Sequence, residues 1–409
     1  MLMTQNVRLY HQYKITRNQR NVSCMAQTPQ HLLNILQKQG KEKKLVAQIA
    51  PAVRVGVGEG FGVQPGDVSP KQLVTALRKL GFHYVFDTLF TADVTILEEG
   101  TELLNRLKNG ELQDKPMFTS CCPGWIALAE SKYPEVLPYI STTKSPQMIM
   151  GAVVKHIFSG DIGLKPEDLY MVSFMPCVRK QGEADRPGFG DQTSRDVDLV
   201  ITTAELVNIL KTIEVDLTQE TESEFDRPFG EGTGSAAMFG KSGGVMTAAL
   251  RYAYYVLTGE ILGNITFTPM EGFLDVMESS LTFTPSPNNS LGFPIEPLTL
   301  KIAVVAGLGG AKKFLKAATE GKVDHKFVEI MACAPYGCLG GGGQIPVGKN
   351  KEILKARKDA LTAFDDDKTT SQDNTAAIQL YQKHLGNPGG HKSHELFHTV
   401  YEDKQKNQD

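Results

Sequence analysis

The sequence predicts an α/β fold with largely parallel sheets. From residue 45 onward, short apolar runs alternate along the chain with longer segments of helical periodicity. Such alternation favours parallel strands with helices packed on the faces of the sheet. The chain has 409 residues, 41% of them hydrophobic, which is enough for one large two-lobed domain or for two to three ordinary domains.

The first third of the chain contains three predicted strands and two predicted helices. The strands are predicted at 53–58 (VRVGVG), 83–88 and 116–120, and the helices at 69–81 and 91–108. The first helix has Ser at its cap and Pro at its first position, both of which are typical of a helix N-terminus.

The rest of the chain continues the alternation and ends in helices. Strands are predicted at 169–177, 197–202, 298–307 and 325–333. Helices are predicted at 203–211, 243–259, 310–321, 351–361 and 374–386. The turn-rich segments 217–237 and 284–296 are predicted to be surface loops, and 364–373 a polar linker.

Charge and hydropathy exclude two classes of partner. The net charge is -3 and the pI is near 6.3, so nothing global indicates nucleic-acid binding. No apolar run approaches the roughly 18–20 residues of a membrane span. We therefore expect neither nucleic acid nor a membrane as a partner.

The N-terminus differs in composition from the rest of the chain. The first 41 residues contain no Asp or Glu but six Lys or Arg residues. Basic, acid-free N-termini are typical of organelle transit peptides. We predict a basic extension over residues 1–44, either a transit peptide or a disordered segment, and a functional domain over 45–409.

The six cysteines are few and widely spaced, which indicates a reducing compartment and roles as ligands or reactive groups. Cys121, Cys177 and Cys333 each stand where a predicted strand ends. Functional sites of α/β sheets gather at the carboxyl ends of strands. Cys121 and Cys122 are adjacent, an awkward arrangement for two ligands of one metal, so we expect them to have different roles.

With Cys121 set aside, and with Cys24 assigned to the basic extension, four thiols remain that could bind a metal: Cys122, Cys177, Cys333 and Cys338. Four thiolates suit either a tetrahedral zinc or an iron–sulfur cubane. A structural zinc usually takes two close cysteine pairs, and only Cys333 and Cys338 form one here. This spacing favours a cubane, while zinc and free core cysteines remain alternatives.

Three longer motifs contain these cysteines. They are TSCCPGW (119–125), MPCVRKQGEADR (175–186) and EIMACAPYGCLGGGGQIP (329–346). They resemble the signature motifs of the iron-only (FeFe) hydrogenases, and the resemblance extends over about residues 45 to 402. The second motif and the tail look most like the green-algal enzymes, which consist of the catalytic domain alone. The resemblance implies a two-lobed domain, each lobe a largely parallel sheet flanked by helices, with the cluster buried between the lobes.

The resemblance also implies a cofactor, the H-cluster. This is a 4Fe–4S cubane joined through one cysteine to a diiron subcluster with CO, CN and bridging dithiolate ligands. By the resemblance Cys122, Cys177, Cys333 and Cys338 hold the cubane, and Cys338 bridges to the diiron unit. Cys121 matches the residue that exchanges protons with the diiron site, which would explain the adjacent pair.

Further residues match the family's pocket and proton path. Lys180 lies three residues after Cys177 and matches a hydrogen-bond donor to a cyanide ligand. Other matches line the pocket, although core packing would be the ordinary interpretation of the apolar ones: Pro51, Ala52, Pro146, Gln147, Met175, Phe239 and Met331. 

Glu99, Glu102 and Arg106 stand at i, i+3 and i+7 of a predicted helix and share a face. Alone, such a stripe is typical of a solvated helix face. By the resemblance it forms a proton path with Ser141 and Cys121, in the order solvent, Arg106, Glu102, Ser141, Glu99, Cys121.

The tail contains His391, His394 and His398 at the same spacing. A zinc site is conceivable there, but the resemblance implies no metal role for these histidines.

The third motif departs from the family pattern. Four residues separate Cys333 from Cys338 where the family has three, and Ile345 is an extra residue before Pro346. Thr247 also replaces the family's usual Glu. A Gly-rich loop can absorb one residue, yet the change lies beside the bridging cysteine.

The resemblance implies a monomer of the chloroplast stroma that reduces protons to H2 reversibly. Its electrons would come from a plant-type ferredoxin, and dedicated machinery would insert the diiron unit. Lys312, Lys313 and Lys316 are a basic patch on a helix before Cys333 that could guide an acidic ferredoxin. Two alternatives remain: a hydrogenase-like iron–sulfur assembly factor, and a degenerate homologue that holds only a cubane or zinc. The assembly factors have extra N-terminal cluster cysteines and lack the proton-relay cysteine.

Overall fold

The computed structural model describes residues 28–191, 193–348, 350–365 and 369–406. Nine strands occur in this part of the chain. In chain order, β1 to β9 are Lys44–Ile49, Tyr84–Asp87, Met117–Phe118, Leu169–Met175, Leu199–Thr202, Thr268–Pro269, Val276–Phe283, Leu298–Ala306 and Phe327–Met331.

The strands form two sheets. The first has the order β2-β1-β4-β5, and all its pairings are parallel. The second has the order β3-β9-β8-β7-β6, with β9 parallel to both β3 and β8 and the last two pairings antiparallel. The predicted α/β fold with parallel sheets is confirmed, and the second sheet adds an antiparallel edge.

Fifteen α-helices flank these sheets in the described residues. In chain order, α1 to α8 are Pro29–Glu42, Pro51–Gly56, Pro70–Lys79, Thr88–Lys108, Pro123–Lys132, Pro146–Val153, Ser159–Asp161 and Arg179–Ala184. Helices α9 to α15 are Thr203–Thr212, Gly234–Ala237, Gly244–Thr258, Gly307–Thr319, Lys351–Thr362, Thr375–Leu380 and His391–Phe397. None of the helices in the described ranges is long and apolar enough to cross a membrane.

Helix α4 passes through the core and carries the predicted proton-path residues. The Asp87 side chain caps it by accepting a 2.9 Å hydrogen bond from the Leu89 amide. The helix is buried from its first residue to Gly100 and packs on α6 and α11. A charged face on so deeply buried a helix needs partners from other elements.

The prediction of a strand at 53–58 is wrong. The segment forms helix α2 and then a 3-10 helix, Val57–Phe61. Every residue of α2 is buried, so its apolar and small residues show no helical stripe. The strand in this part of the chain is instead β1, which lies just before α2 and pairs with both β2 and β4.

The packed part of the chain begins before the predicted boundary at residue 45. Helix α1 buries Leu32, Leu33 and Leu36 in the main core and packs on α9. Residues 1–27, which make up most of the predicted basic extension, lie outside the described residues.

The C-terminal segment spreads over the rest of the fold. Helices α13 and α14 agree with the predicted tail helices, whereas α15 was not predicted. Helix α13 packs on α2, α14 on α4 and α15 on α6. Thr143 and His398 also form an isolated antiparallel bridge. The tail is therefore an integral layer of the domain.

Candidate metal centre

Five cysteines line one cavity of about 120 Å³ between the two sheets. They are Cys121, Cys122, Cys177, Cys333 and Cys338. The cavity lies where β1, β3, β4 and β9 end, because the residues that follow each of these strands contribute to its wall. The carboxyl ends of strands from both sheets thus bring together thiols more than 200 residues apart, as the strand-end argument predicts.

A hydrogen bond and close packing hold the segment of Cys122 against the segment that follows β9. Cys122 is the N-cap residue of α5, and its Sγ accepts a 3.3 Å hydrogen bond from the Ala332 amide just after β9. Gly124 packs so closely on this segment that an added Cβ would lie 2.8 Å from the Cβ of Ala332. The small residue lets α5 start directly against the Cys333 strand.

The irregular third motif folds as a closed turn. The Gly337 amide donates a 3.0 Å hydrogen bond to the Cys333 carbonyl, and Gly337 has φ +67°. An added Cβ there would lie 2.9 Å from the Ser242 nitrogen. The turn accommodates the extra residue, and Cys338 still lines the cavity with the other thiols.

The Gly-rich loop after Cys338 packs against the Cys177 strand end. The Gly343 amide donates a 2.9 Å hydrogen bond to the Pro176 carbonyl. A Cβ on Gly341 would lie 2.4 Å from that carbonyl oxygen, and one on Gly343 would lie 2.8 Å from the Cys177 nitrogen. These glycines allow the close approach of two backbones.

Arg357 of α13 anchors this loop from the other side. Its Nη1 donates to the Leu339 carbonyl at 2.6 Å, and its Nη2 donates to the carbonyl of the extra residue Ile345 at 2.8 Å. Its Nε and Nη2 also form a bidentate pair with Glu59, at 2.6 and 2.8 Å. The loop that follows Cys338 is therefore fixed at two points by one buried guanidinium.

The four predicted ligand thiols have a shared electrostatic environment. Burial, followed by repulsion from neighbouring thiolates, raises the pKa of Cys333 to about 11 and that of Cys338 well above its usual range. The pKa of Cys177 is raised by the same causes. Bound cations would remove this penalty, since metal binding deprotonates a thiol. Within the described ranges, no three His, Cys, Asp or Glu side chains are grouped so as to hold a single metal ion.

The structure brings the other predicted pocket residues to the same cavity. Its wall includes Pro51, Ala52, Pro146, Gln147, Met175, Lys180, Phe239 and Met331. Lys180 Nζ donates to the Cys121 carbonyl at 3.0 Å and to Glu183 Oε2 at 2.7 Å. Burial lowers the pKa of Lys180, but Glu183 outweighs it and the net shift is upward. The cavity therefore contains one buried ammonium among mainly apolar groups.

The predicted proton path is continuous from the surface to Ser141. Arg106 Nη2 donates to Glu102 Oε1 at 2.6 Å, and Ser141 Oγ donates to Glu102 Oε2 at 2.7 Å. Glu102 and Arg106 keep 12% and 14% of their side chains exposed, whereas Ser141 and Glu99 are fully buried. Neither carboxyl oxygen of Glu99 has a hydrogen-bond partner among the described residues. The hydrogen-bonded path is therefore interrupted between Ser141 and Glu99.

The environment of the Glu99 side chain favours its protonated form. Burial, with a smaller contribution from the Glu102 charge, raises its pKa to about 8, and the nearby Ser141 hydroxyl offsets this only in part. Burial and the charge of Glu99 also raise the pKa of Cys121 well above its usual range. Both groups are therefore protonated at neutral pH.

Two residues around this path, Thr142 and Glu98, were not identified from the sequence, and His398 was considered there only for a zinc site. The Thr142 amide donates to Glu102 Oε2 at 3.1 Å, and Thr142 Oγ1 lies 2.7 Å from His398 Nδ1. His398 Nε2 lies 3.1 Å from Glu98 Oε2. Both ring nitrogens of His398 are thus engaged by protein groups, which argues against the conceivable zinc site. Thr142 and His398 are 256 residues apart, so no local pattern indicates the contact.

Comparison with known proteins gives the family. Residues 43–342 match the model of the iron-only hydrogenase large subunit, C-terminal domain, and residues 351–404 match that of the iron hydrogenase small subunit. The chain belongs to the iron-only hydrogenase family. In this family member, the segment that resembles a small subunit is the C-terminal layer formed by α13, α14 and α15.

The chain has curated relatives of two kinds. The chain is 41% identical over 371 residues to the NADP-reducing hydrogenase subunit HndD of Solidesulfovibrio fructosivorans, covering 89% of this chain and 61% of that protein. It thus spans about three fifths of that relative. It is 33% identical to the cytosolic Fe-S cluster assembly factor narfl of Danio rerio, covering 90% of this chain and 88% of that protein.

A solved structure matches closely. Apo FeFe-hydrogenase HydA1 from Chlamydomonas reinhardtii superposes with a TM-score of 0.81 at 44% identity, covering 90% of this chain and 98% of that one. The predicted membership of the iron-only hydrogenases, with the fold of their catalytic domain, is confirmed. The roles assigned to individual site residues stay predictions.

Proposed function

We propose that this family member is a hydrogenase that interconverts protons and electrons with H2. The observation that carries the proposal is Cys121. It is a buried thiol that lines the cavity beside the four predicted ligands, and the charge of Glu99 on α4 contributes to raising its pKa. A purely structural cluster would not need this fifth thiol, nor the series of polar groups that is hydrogen-bonded from Arg106 to Ser141 and followed by the buried Glu99.

The residues present fit an H-cluster. Cys122, Cys177, Cys333 and Cys338 would hold the cubane, with Cys338 as the bridge to the diiron subcluster. When bound, this group supplies the redox chemistry by which protons and electrons become H2. The donor set fits because four partly buried thiols line one cavity, and their thiolate forms, which repel one another, would be stabilised by cationic metal.

Lys180 and the apolar wall would orient the diiron unit. A buried ammonium with Glu183 as its counter-ion presents donor protons to anionic ligands such as cyanide. Met175, Phe239 and Met331 are buried and would exclude water from the same wall. The chain thus provides a few polar groups, Lys180 with Arg179 and Gln147, in a largely apolar pocket.

The protein's further task is proton delivery. Arg106 and Glu102 would collect protons at the surface, and the Ser141 hydroxyl would pass them inward. Ser141 Oγ now donates to Glu102, so it must rotate for its proton to reach Glu99. Glu99 then holds the proton next to Cys121. General acid–base groups of this kind typically contribute about 10²–10⁴-fold to a rate.

We propose a plant-type ferredoxin as the electron donor, and maturation machinery for diiron insertion. Lys312 and Lys313 are exposed on α12. A Cβ added to the first residue of that helix, Gly307, would lie 3.2 Å from the Cβ of Ala334, the residue after Cys333. A basic surface this close to the cluster edge would guide an acidic partner. We further propose a monomer located in the chloroplast stroma.

Iron–sulfur assembly is the second candidate function. The likeness to narfl over 90% of this chain supports it. Cys121 and its polar route argue against it, because a carrier of clusters has no use for a proton path. A degenerate homologue with a cubane alone is a variant of the same alternative.

One experiment separates these functions. The full chain is co-expressed anaerobically with the diiron maturation machinery, and H2 evolution from reduced viologen is measured. Infrared bands of CO and CN together with iron content report the cofactor. A hydrogenase shows both bands and H2. A protein with cubane iron but neither bands nor H2 would refute the proposal.

A further inference from the structure

A second cavity of about 130 Å³ lies next to the metal centre and shares Arg179 and Pro123 with it. Four segments that are distant in sequence form it. They are α5, residues 143–145 before α6, α8 with the residues up to Phe189, and residues 399–404 of the tail. The tail is held there because the Lys404 amide donates to the Glu130 carbonyl at 3.0 Å.

Cations outnumber carboxylates in the wall of this cavity. The wall contains Lys144, Arg179, Arg186 and Lys404 against Glu130 and Glu183. Glu130 already accepts from Arg186, at 2.6 and 3.1 Å, and from Lys404 at 2.6 Å. One carboxylate thus faces two cations.

The remaining charged groups do not remove the excess. Two charged residues outside the wall pair with residues in it. Lys144 Nζ lies 3.4 Å from Asp196 Oδ2, and Glu183 Oε2 lies 2.7 Å from Lys180 Nζ. The negative charge of Asp196 and the positive charge of Lys180 offset each other, so the net charge around the cavity is unchanged. Within the part of the chain that the structure describes, the exposed Arg179 side chain makes no ion pair. The cavity retains about two positive charges, which favours an anion in a partly enclosed site.

Two buried hydroxyls in the same wall lack partners. Thr143 is fully buried and Ser145 is 2% exposed, and neither Oγ makes a hydrogen bond among the described residues. Ser145 is the N-cap residue of α6, yet its hydroxyl does not cap the helix as Ser usually does. Buried hydroxyls without partners are rare in native proteins. Both side chains line the cavity, and because neither hydroxyl has a partner in the protein, each could turn to donate to a ligand there.

We propose that this cavity binds a dianionic tetrahedral oxyanion, either free phosphate or the phosphate group of a phosphomonoester. Phosphate carries close to two negative charges at neutral pH, which matches the excess of cations. Arg179 offers a planar fork for two of its oxygens, the half-exposed Lys404 contributes a second cation that it shares with Glu130, and Thr143 and Ser145 contribute the two hydroxyls that have no partner in the protein. The cavity volume of about 130 Å³ is well above the roughly 10–15 Å³ that one water molecule needs, so the cavity has room for this ion.

The site is coupled to the metal centre through shared groups. Arg179 lines both cavities, and Glu183 faces the oxyanion while it binds Lys180, whose Nζ also contacts the Cys121 carbonyl. An oxyanion that attracts Arg179 changes the charge beside the predicted cluster. Because such coupling is reciprocal, cluster loading should change phosphate affinity.

Calorimetric titration of the full chain with phosphate tests the proposal at constant ionic strength, with chloride as the competing salt. The double variant Thr143→Val/Ser145→Ala removes two donors that have no partner in the protein. Arg179→Gln removes the unpaired cation. We expect each to weaken phosphate binding about tenfold or more. Lys392→Gln, at an exposed lysine of α15 outside the cavity, should not change it.

The outcomes are distinguishable and independent of hydrogen evolution. Thermal unfolding of each variant in chloride verifies that it folds. Equal binding of glycerol 3-phosphate and phosphate would indicate an ester ligand, and weaker binding of the ester would indicate the free ion. Absence of saturable binding to the wild type, or equal affinity in the wild type and the Thr143→Val/Ser145→Ala variant, overturns the proposal.

Discussion

Replacement of Arg357 by Met should destabilise the loop that holds Cys338. The substitution keeps the length and apolar stem of the side chain but removes four hydrogen bonds, two to Glu59 and two to the carbonyls of Leu339 and Ile345. The Arg357 side chain is 1% exposed and that of Glu59 is 10% exposed. The loss therefore leaves a nearly buried carboxylate and two carbonyls without this partner.

The size of the effect follows from this burial. Breaking a buried ion pair by removing one partner costs about 3–5 kcal/mol. Because Glu59 keeps some contact with water, we expect the lower end, about 3 kcal/mol. Arg357→Met/Glu59→Gln should recover part of this loss, since it removes the uncompensated charge.

The same helix offers a matched control. Lys355 and Asp359 form an i,i+4 pair with side chains 70% and 57% exposed. Lys355→Gln breaks that pair, and solvent screening leaves exposed pairs of this type with little effect on stability. Denaturant unfolding of the full chain under anaerobic conditions compares the three variants with the wild type.

A second measurement connects the loop to the metal centre. Iron per chain after maturation should fall in Arg357→Met and stay at the wild-type level in Lys355→Gln, because Arg357 fixes the segment after Cys338. If Arg357→Met costs no more than Lys355→Gln, or if the double variant is no more stable than Arg357→Met, the reasoning about the buried charge is refuted.

Four further predictions concern the site. Cys121→Ala should keep its iron and lose turnover by about 10²–10⁴-fold; loss of iron with unchanged activity per cluster would show that Cys121 is a ligand. Because the pKa of Glu99 is raised to about 8 in the fold from an ordinary value near 4.5, this group makes the protein less stable as pH rises between those values. Stability curves should therefore fall more steeply with pH in the wild type than in Glu99→Gln, by on the order of 1 kcal/mol per pH unit, and parallel curves would contradict the assignment. Charge reversal at Lys312 and Lys313 should slow ferredoxin-driven H2 evolution, less so at high salt, and leave viologen-driven evolution unchanged; equal losses with both donors would place these lysines in folding or catalysis. Deletion of Tyr336 should preserve or improve maturation, measured by the infrared CO and CN bands, and loss of those bands would show that the longer turn is required.

Much of the candidate metal centre was predictable because its signals are local. Each cysteine that ends a strand is visible from the apolar run before it, and the shared face of Glu99, Glu102 and Arg106 follows from helical spacing. The structure places all of these residues where the strand-end and helix-face arguments expect them. The roles of the eight pocket residues, by contrast, came only from resemblance, since apolar residues at a cavity look like core residues in a sequence.

The errors occurred where the local pattern is absent or misleading, for a different reason in each element. Helix α2 is buried on all sides, so VRVGVG shows the alternation of a strand. Strand β7 has its one fully buried residue at Val276 and is otherwise partly exposed, so it carries no clear apolar alternation. Helix α1 begins within the basic segment whose composition indicated an extension.

The sequence by itself determined which groups can ligate metal, which strands deliver them and which helix face carries ionisable side chains, because propensity and periodicity act over a few residues. Only the tertiary structure decided the partners of those groups. Arg357 meets Glu59 across 298 residues, and His398 meets Thr142 across 256. The second cavity exists because four distant segments converge at α5. The physical reason is that burial makes a charged or polar side chain depend on whichever group the fold places beside it, and no short-range pattern encodes that choice.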